Sequence, residues 1–349
     1  MSPDRTLILG IESSCDETAA AVVSSAGDVL SNAISSQIPI HARFGGVIPE
    51  LASRNHLMAI GPVVRKALDD AGIKLADISR IGVTRGPGLM GALMMGLQFA
   101  KGLAVRHDIE LVPVHHVEGH ITAILLADGG DHPHGDLTFP YAALAVSGGH
   151  TSIYRVDRPG SYHLLGITLD DAAGEAFDKV ARVLGLPYPG GVEIDRIARN
   201  GNPKAIQFPR PLKGKHNIDF SFSGLKTAVK LHVDKLVAAD MPIPHEDIAA
   251  SFQQAVVDVL LRKLFVAADH SKITDVVISG GVAANSHLRA ELLLRAPEAG
   301  LRAHLTKPIL CTDNAAMIAN AARYGTALSQ LDVQQVEPFA SGQLTGKIG

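Results

Sequence analysis

Three histidines stand in Pro113-Val-His-His-Val-Glu-Gly-His120, and two of them, His116 and His120, are four residues apart. That spacing sets both imidazoles on one face of a helix, as a metal-binding pair requires. An isolated pair of this kind is more often solvated or part of a core, so a metal reading needs a third ligand. Asp313, in Thr312-Asp313-Asn314, is the candidate, because it occupies the same point of an internal repeat as Glu118. A His, His, Asp set with open positions suits Fe(II) or Zn(II), whereas N-capping of the following helix is the plainer role for Asp313. The segment is not the HExxH of zinc peptidases, since Glu118 falls at the wrong place in the turn.

Glycine turns offer a second chemistry. Ser147-Gly148-Gly149 lies between two apolar runs, where missing Cβ atoms let backbone N–H groups converge on phosphate or carboxylate oxygens. Its mate in the repeat is Ser14-Cys15-Asp16-Glu17. Ser279-Gly-Gly-Val-Ala-Ala-Asn285 follows the apolar run Val276 to Ile278 and opens a helix, a place where a nucleotide can approach backbone and helix N-terminus. Asp170, Asp171, Glu175 and Asp178 crowd one helix start, either as ligands or as solvated acids that suit the helix dipole. Pro189-Gly190-Gly191 followed by Asp195 suits ribose hydroxyls. Between Phe208 and Lys235, Arg210, Lys213, Lys215, Lys226, Lys230 and Lys235 meet two Asp, a net +4 in a chain whose total is −3. Such a stretch binds phosphates or is merely a solvated face.

Positioning these groups requires elements, and the elements repeat. Leu7 to Glu12, a polar turn, Thr18 to Val23 and a Gly27 turn recur as Tyr141 to Val146, a polar turn, Thr151 to Val156 and a Gly160 turn. Ser14/Ser147, Thr18/Thr151 and Gly27/Gly160 are all separated by 133, and Gly86/Gly281, Pro113/Pro308 and Glu118/Asp313 by 195. Constant offsets mark a duplication with about 62 extra residues in the second copy. Each copy reads as three hairpin-linked strands, then alternating helix and strand, which is an α/β mixed sheet with helices on its faces. The expected halves are residues 1–138 and 139–349, facing each other across a cleft. A helical insert at about 168–270 carries helices over Ala172 to Leu184, Ile194 to Arg199, Lys226 to Val237 and Ile248 to Ala268. Ile121 to Leu126 reads as helix, and Gln330 to Gly349 as an extended tail.

The 349 residues suit about two domains, and 46% apolar with 19% charged residues excludes a disordered chain. Only 4% aromatic residues and no Trp argue against reading RNA by base stacking. Two cysteines, Cys15 and Cys311, fit a reducing compartment, and no apolar run spans a membrane, so a cytoplasmic protein is expected.

Seven segments in order resemble one family: Gly10-Ile-Glu-Ser-Ser-Cys-Asp-Glu-Thr18, Val114-His-His-Val-Glu-Gly-His120, Val146-Ser-Gly-Gly-His150, Asp170-Asp-Ala-Ala-Gly-Glu-Ala-Phe-Asp178, Tyr188-Pro-Gly-Gly191, Phe220-Ser-Phe-Ser-Gly224 and Ser279-Gly-Gly-Val-Ala-Ala-Asn285. They look like the tRNA N6-adenosine threonylcarbamoyltransferase family over nearly the whole chain. The resemblance implies a duplicated actin-like ATPase (ribonuclease H-like) fold. It also implies transfer of a threonylcarbamoyl group from threonylcarbamoyl-adenylate to N6 of adenosine 37 in tRNAs reading codons that begin with A. Carried over, it assigns His116, His120 and Asp313 to one iron site per subunit, Fe(2+) with Zn(2+) as the alternative. It assigns Ala145, Val146, Ser147, Gly148, Gly149, Asp178, Gly191, Asp195 and Asn285 to the adenylate, with ATP or AMP as other occupants. The implied partners are tRNA, an inactive paralogue and a small P-loop ATPase. Val192 departs from the family pattern, which has Pro there. Asp16 and Glu17 are the candidates for removing the N6 proton. The competing readings are a metallopeptidase (glycoprotease), which lacks a well-placed Glu here, and a small-molecule kinase of the same fold, which has no use for the His pair.

Overall fold

The computed structural model describes residues 6–127, 129, 135–214, 217–344 and 346–347. It divides into two compact units, residues 1–136 with 158–162 and 313–349, and residues 137–157 with 163–312.

The first unit begins with β1 (Leu7–Glu12), β2 (Glu17–Ser24) and β3 (Val29–Ser36), followed by α1 (Ile38–His41) and α2 (Pro49–Asp70). It continues through β4 (Ile78–Gly86), α3 (Met90–His107), β5 (Glu110–His115) and α4 (His116–Thr122). Its sheet has the order β3-β2-β1-β4-β5; β1, β2 and β3 pair antiparallel, and β1, β4 and β5 parallel. Every residue of β1 is buried, as a central strand covered on both faces should be. The expected helix Ile121 to Leu126 is divided: α4 ends at Thr122 and a tighter turn covers Ala123–Leu125.

The second unit contains β6 (Tyr141–Val146) and most of β7 (Thr151–Arg158) and β8 (Ser161–Ile167), whose joining residues 158–162 count with the first unit, then the helices of the insert. These are α5 (Ala173–Val183), α6 (Gly190–Ala198), α7 (Ser223–Ala238) and α8 (His245–Ser271). After them come β9 (Asp275–Ser279), α9 (Ser286–Glu298), β10 (Arg302–Leu305) and α10 (Pro308–Cys311). The strand order is β10-β9-β6-β7-β8, with β9 parallel to β6, and a two-residue strand, Gly346–Lys347, pairs antiparallel with the start of β8. The insert helices share one core with β6 and β9, in which Phe177, Phe220, Phe222 and Phe252 are almost fully buried.

The last stretch departs from expectation. Residues 313–349 were expected in the second half, yet they pack into the first unit. The cause is α11 (Ala315–Ala322), an Ala-rich helix lying directly on β1 and β4. A Cβ at Gly10 would come within 2.9 Å of the Ala319 Cβ, and one at Gly82 within 3.0 Å of the Ile318 carbonyl oxygen, so only glycine admits the helix this close. The tail is not wholly extended either. Ser329 accepts a hydrogen bond from the Asp332 N–H and starts α12 (Gln330–Gln335).

Candidate active site

In the first unit, β5 ends at His115 and α4 begins at His116, so the strand-to-helix switch sets the histidines at the sheet's carboxyl edge. The docking of α11 brings Asp313 to the same place, with Asn314 capping the helix by accepting from the Met317 N–H. His120 Nε2 lies 3.1 Å and His116 Nε2 3.5 Å from the same oxygen, Asp313 Oδ1. One ligand atom from each of the three residues lies within 4.8 Å of the others. Both ring nitrogens of His120 are buried and make no hydrogen bond among the described residues. The 3.1 Å approach is therefore not a directed hydrogen bond, and it suits two groups that share a cation. The donor set of two imidazoles and a carboxylate fits a borderline divalent ion.

The other nitrogen of His116 is also held. Its Nδ1 is 3.0 Å from Glu12 Oε2 and 3.2 Å from Ser14 Oγ. Glu12, fully buried at the end of β1, also accepts from Thr84 Oγ1 at 2.6 Å. A carboxylate behind the imidazole fixes ring orientation and raises ligand basicity. Sequence reasoning missed Glu12 and Thr84; the available signal was an acid at the end of an otherwise apolar strand. Burial alone would lower the His116 pKa, but the Glu12 and Asp313 carboxylates outweigh it and hold the ring well above its usual value. Burial would raise Asp313, and His116 and His120 instead hold it well below the usual carboxylate range.

Of the candidate bases, Asp16 is buried, while Glu17 opens β2 and accepts from Ser36 Oγ at 2.9 Å. Burial first, then the Asp313 and Asp16 carboxylates, push Glu17 up to about 9. Another unforeseen residue, His56 of α2, braces this turn: its ring contacts the Cys15 carbonyl oxygen at 2.9 Å and Thr18 Oγ1 at 2.8 Å.

In the second unit, Ser147-Gly148-Gly149-His150 closes β6 to β7, with Ser147 Oγ accepting from the His150 N–H at 3.2 Å. Neither Gly148 nor Gly149 has a positive φ. A Cβ on either would meet no protein atom within 4 Å, which leaves open space over this backbone. The N-terminus of α5 abuts the loop, the Gly174 N–H donating to the Ser147 carbonyl at 3.2 Å. Ala145 pairs with Ser279 across β6 and β9, and Gly280, at φ +89°, packs against the Val146 backbone. The two glycine loops therefore adjoin.

Asp178, Asp195 and Asn285 all have partners in this unit. Asp178 accepts from the Gly190 N–H at 2.8 Å, fixing the Gly190-Gly191 turn at the start of α6. Asp195 accepts from Ser286 Oγ at 2.8 Å. Asn285 caps α9 through its Oδ1 at 2.9 Å from the Leu288 N, and its Nδ2 donates to Gln253 Oε1 at 2.7 Å, leaving one N–H over. The acids at the start of α5 are paired as well. Asp170 accepts from Ser221, Ser223 and the Phe222 N–H, and these bonds overcome burial to hold it at about 2. Asp171 meets Lys179 and Lys226.

The basic stretch is less positive than its count. Arg210 pairs with Asp258, Lys226 with Asp171 and Lys230 with Asp234, while Lys213 and Lys235 are exposed. Lys215 lies outside the described residues.

Residues 28–320 match the family model TsaD, tRNA N6-adenosine threonylcarbamoyltransferase. Curated relatives with that name include one from Syntrophotalea carbinolica, 53% identical over 94% of both chains, and one from Geotalea uraniireducens, 52% identical over 98% of both. Among solved structures, full-length HypF aligns with 97% of this chain and 56% of its own at a TM-score of 0.59 and 13% identity. Component A of the Acidaminococcus fermentans (R)-2-hydroxyglutaryl-CoA dehydratase covers 94% of this chain and 99% of its own, with a TM-score of 0.54 and 14% identity. At such identities these likenesses speak for the shared actin-like ATPase fold alone.

Proposed function

The chain belongs to the tRNA N6-adenosine threonylcarbamoyltransferase family and is a tRNA threonylcarbamoyltransferase, and from that premise we propose how its residues serve the reaction. The donor is threonylcarbamoyl-adenylate and the acceptor N6 of adenosine 37. The amine attacks the carbamoyl carbon, the bond from that carbon to the phosphate oxygen breaks, and AMP leaves. Such a transfer needs the phosphate held, the carbonyl polarised and the amine's proton accepted.

The open backbone at Ser147-Gly148-Gly149 takes the phosphate, together with Ala145 and Val146 beneath it. Gly191, Asp178, Asp195 and Asn285 line the nucleoside side; Asp195 accepts ribose hydroxyls and Asn285 offers its remaining N–H. His116, His120 and Asp313 hold one divalent ion, Fe(2+) with Zn(2+) as alternative, which when bound supplies a Lewis acid and a template for substrate oxygens. Glu12 keeps His116 in the orientation that presents Nε2. Asp16 and Glu17, adjacent at the start of β2, are the candidates for taking the N6 proton. A metallopeptidase is less well served: Glu118 sits two residues from either histidine and accepts from Tyr162 OH at 2.9 Å.

The observation that carries the site assignment is the convergence of His116, His120 and Asp313 with Glu12 behind them. We also propose an inactive paralogue and a small P-loop ATPase as partners. In support, α2 and α3 pack together and expose Leu57, Met58, Met90 and Met94, apolar side chains suited to a protein contact. No described helix is long and apolar enough to cross a membrane, and we place the protein in the cytoplasm. The test is to incubate the chain and these partners with unmodified tRNA and the adenylate. The modified nucleoside is expected; its absence would remove the proposal.

A further inference from the structure

The loop Gly280–Asn285 is short and half-buried, and it is turned by its own backbone bonds, the Ala283 N–H donating to the Gly280 carbonyl at 2.8 Å and the Asn285 N–H to the Val282 carbonyl at 3.0 Å. Arg289, one turn into α9, reaches back to it. One guanidinium nitrogen, Nη1, donates to the Ala283 carbonyl at 3.2 Å and to the Thr306 carbonyl at 2.9 Å. Cys311 Sγ lies 3.4 Å from the same Thr306 oxygen and 4.0 Å from that nitrogen. Thr306 and Cys311 are both fully buried. The cation is thus spent on backbone carbonyls, and no described carboxylate pairs with it. From the other side, Gln253 of α8, itself buried, holds the Asn285 amide. We propose that Arg289 is a positioning residue for nucleotide binding: it ties the loop Gly281–Ala284 to the Thr306–Cys311 turn, so that backbone and Asn285 are presented to the adenylate in a fixed geometry. The proposal rests on the reading that this loop meets the nucleotide. Nη1 carries two N–H groups and serves both carbonyls at once; a lysine ammonium can also do so, as Lys101 does with the Gln334 and Val336 carbonyls, and a methionine cannot.

The test measures AMP affinity of the full chain as wild type, Arg289→Met, Arg289→Lys and Gly281→Val, with metal content measured on the same samples. Gly281 faces open space, since a Cβ there would meet nothing within 4 Å, so a side chain at this position stands where an incoming ligand would meet it. We expect Arg289→Met to weaken AMP about tenfold, Arg289→Lys to recover part of the loss, and metal content to stay at the wild-type value. Weakening by Gly281→Val with unchanged affinity in Arg289→Met would overturn the positioning role while leaving the nucleotide loop in place. Unchanged affinity in both would overturn the loop assignment and the proposal with it. Parallel loss of AMP and metal in Arg289→Met, with no recovery by lysine, would reduce Arg289 to a general stabilising contact and also overturn it.

Discussion

Glu12 is the residue on which the proposed metal centre would depend without belonging to it. Its carboxylate has no solvent exposure and is shared by His116 Nδ1, Thr84 Oγ1 and the Ser14 N–H. Replacing Glu12 with Gln keeps the volume but removes the charge behind the imidazole, so metal affinity should fall by about 10–100-fold. Titrating the apoprotein with Fe(2+) or Zn(2+) checks this, and equal affinities in wild type and variant would remove Glu12 from the centre. The histidine pair was legible from its spacing, and Asp313 from the constant offset of the repeat. Glu12 was not, because a lone buried acid at the end of an apolar run carries no periodic signal.

At the scale of elements, α11 is what delivers Asp313. It lies on β1 and β4 because Gly10, Gly82 and the helix alanines leave no side chain between them. Gly82→Val would force the helix away from β4, at a cost of roughly 1–3 kcal/mol or more from overpacking. Metal retention should drop together with the melting temperature, although all three ligands remain in the chain. A variant that melts lower but keeps its metal would show that α11 does not govern the site. Sequence periodicity announced a helix after Asp313; it carried no information on which sheet the helix covers, since an Ala-rich face fits either. In the second unit, Asp275 at the start of β9 is fully buried and accepts from Arg302, Thr138, His304 and Thr274. Burial would raise its pKa, but these donors hold it at about 2, below the ordinary 3.8. A depressed carboxyl stabilises the fold above its unfolded pKa, so this contribution, about 2 kcal/mol, is present above pH 3.8 and is lost as pH falls through 2. Denaturant melts of Asp275→Asn between pH 2 and 6 should converge on wild type at the acid end. A constant difference across that range would contradict the assignment.

For the whole molecule, net charge proved a poor guide to surface. The +4 of Phe208 to Lys235, in which Asp234 is already counted, is answered in part by Asp258 and Asp171 from outside the segment, pairings invisible to a count along the chain. Exposed Lys213 and Lys235 remain as candidate phosphate contacts. Replacing both with Glu should weaken tRNA binding and lower the salt slope by about two, leaving AMP binding intact. An unaltered affinity and slope would take this segment out of the acceptor surface. The duplicated α/β architecture, by contrast, was readable in advance, because each copy repeats its strands and turns in order.

The central claim is that His116, His120 and Asp313 form the metal centre of threonylcarbamoyl transfer, and it is tested most directly by following N6-threonylcarbamoyladenosine in unmodified tRNA by mass spectrometry. Wild type and Asp313→Ala are compared side by side, with adenylate and partner subunits supplied to both. Product from wild type, with a yield reduced at least about tenfold in Asp313→Ala, is the predicted result, since loss of one of three ligands removes much of the ion's binding energy. Equal yields from the two proteins would contradict it.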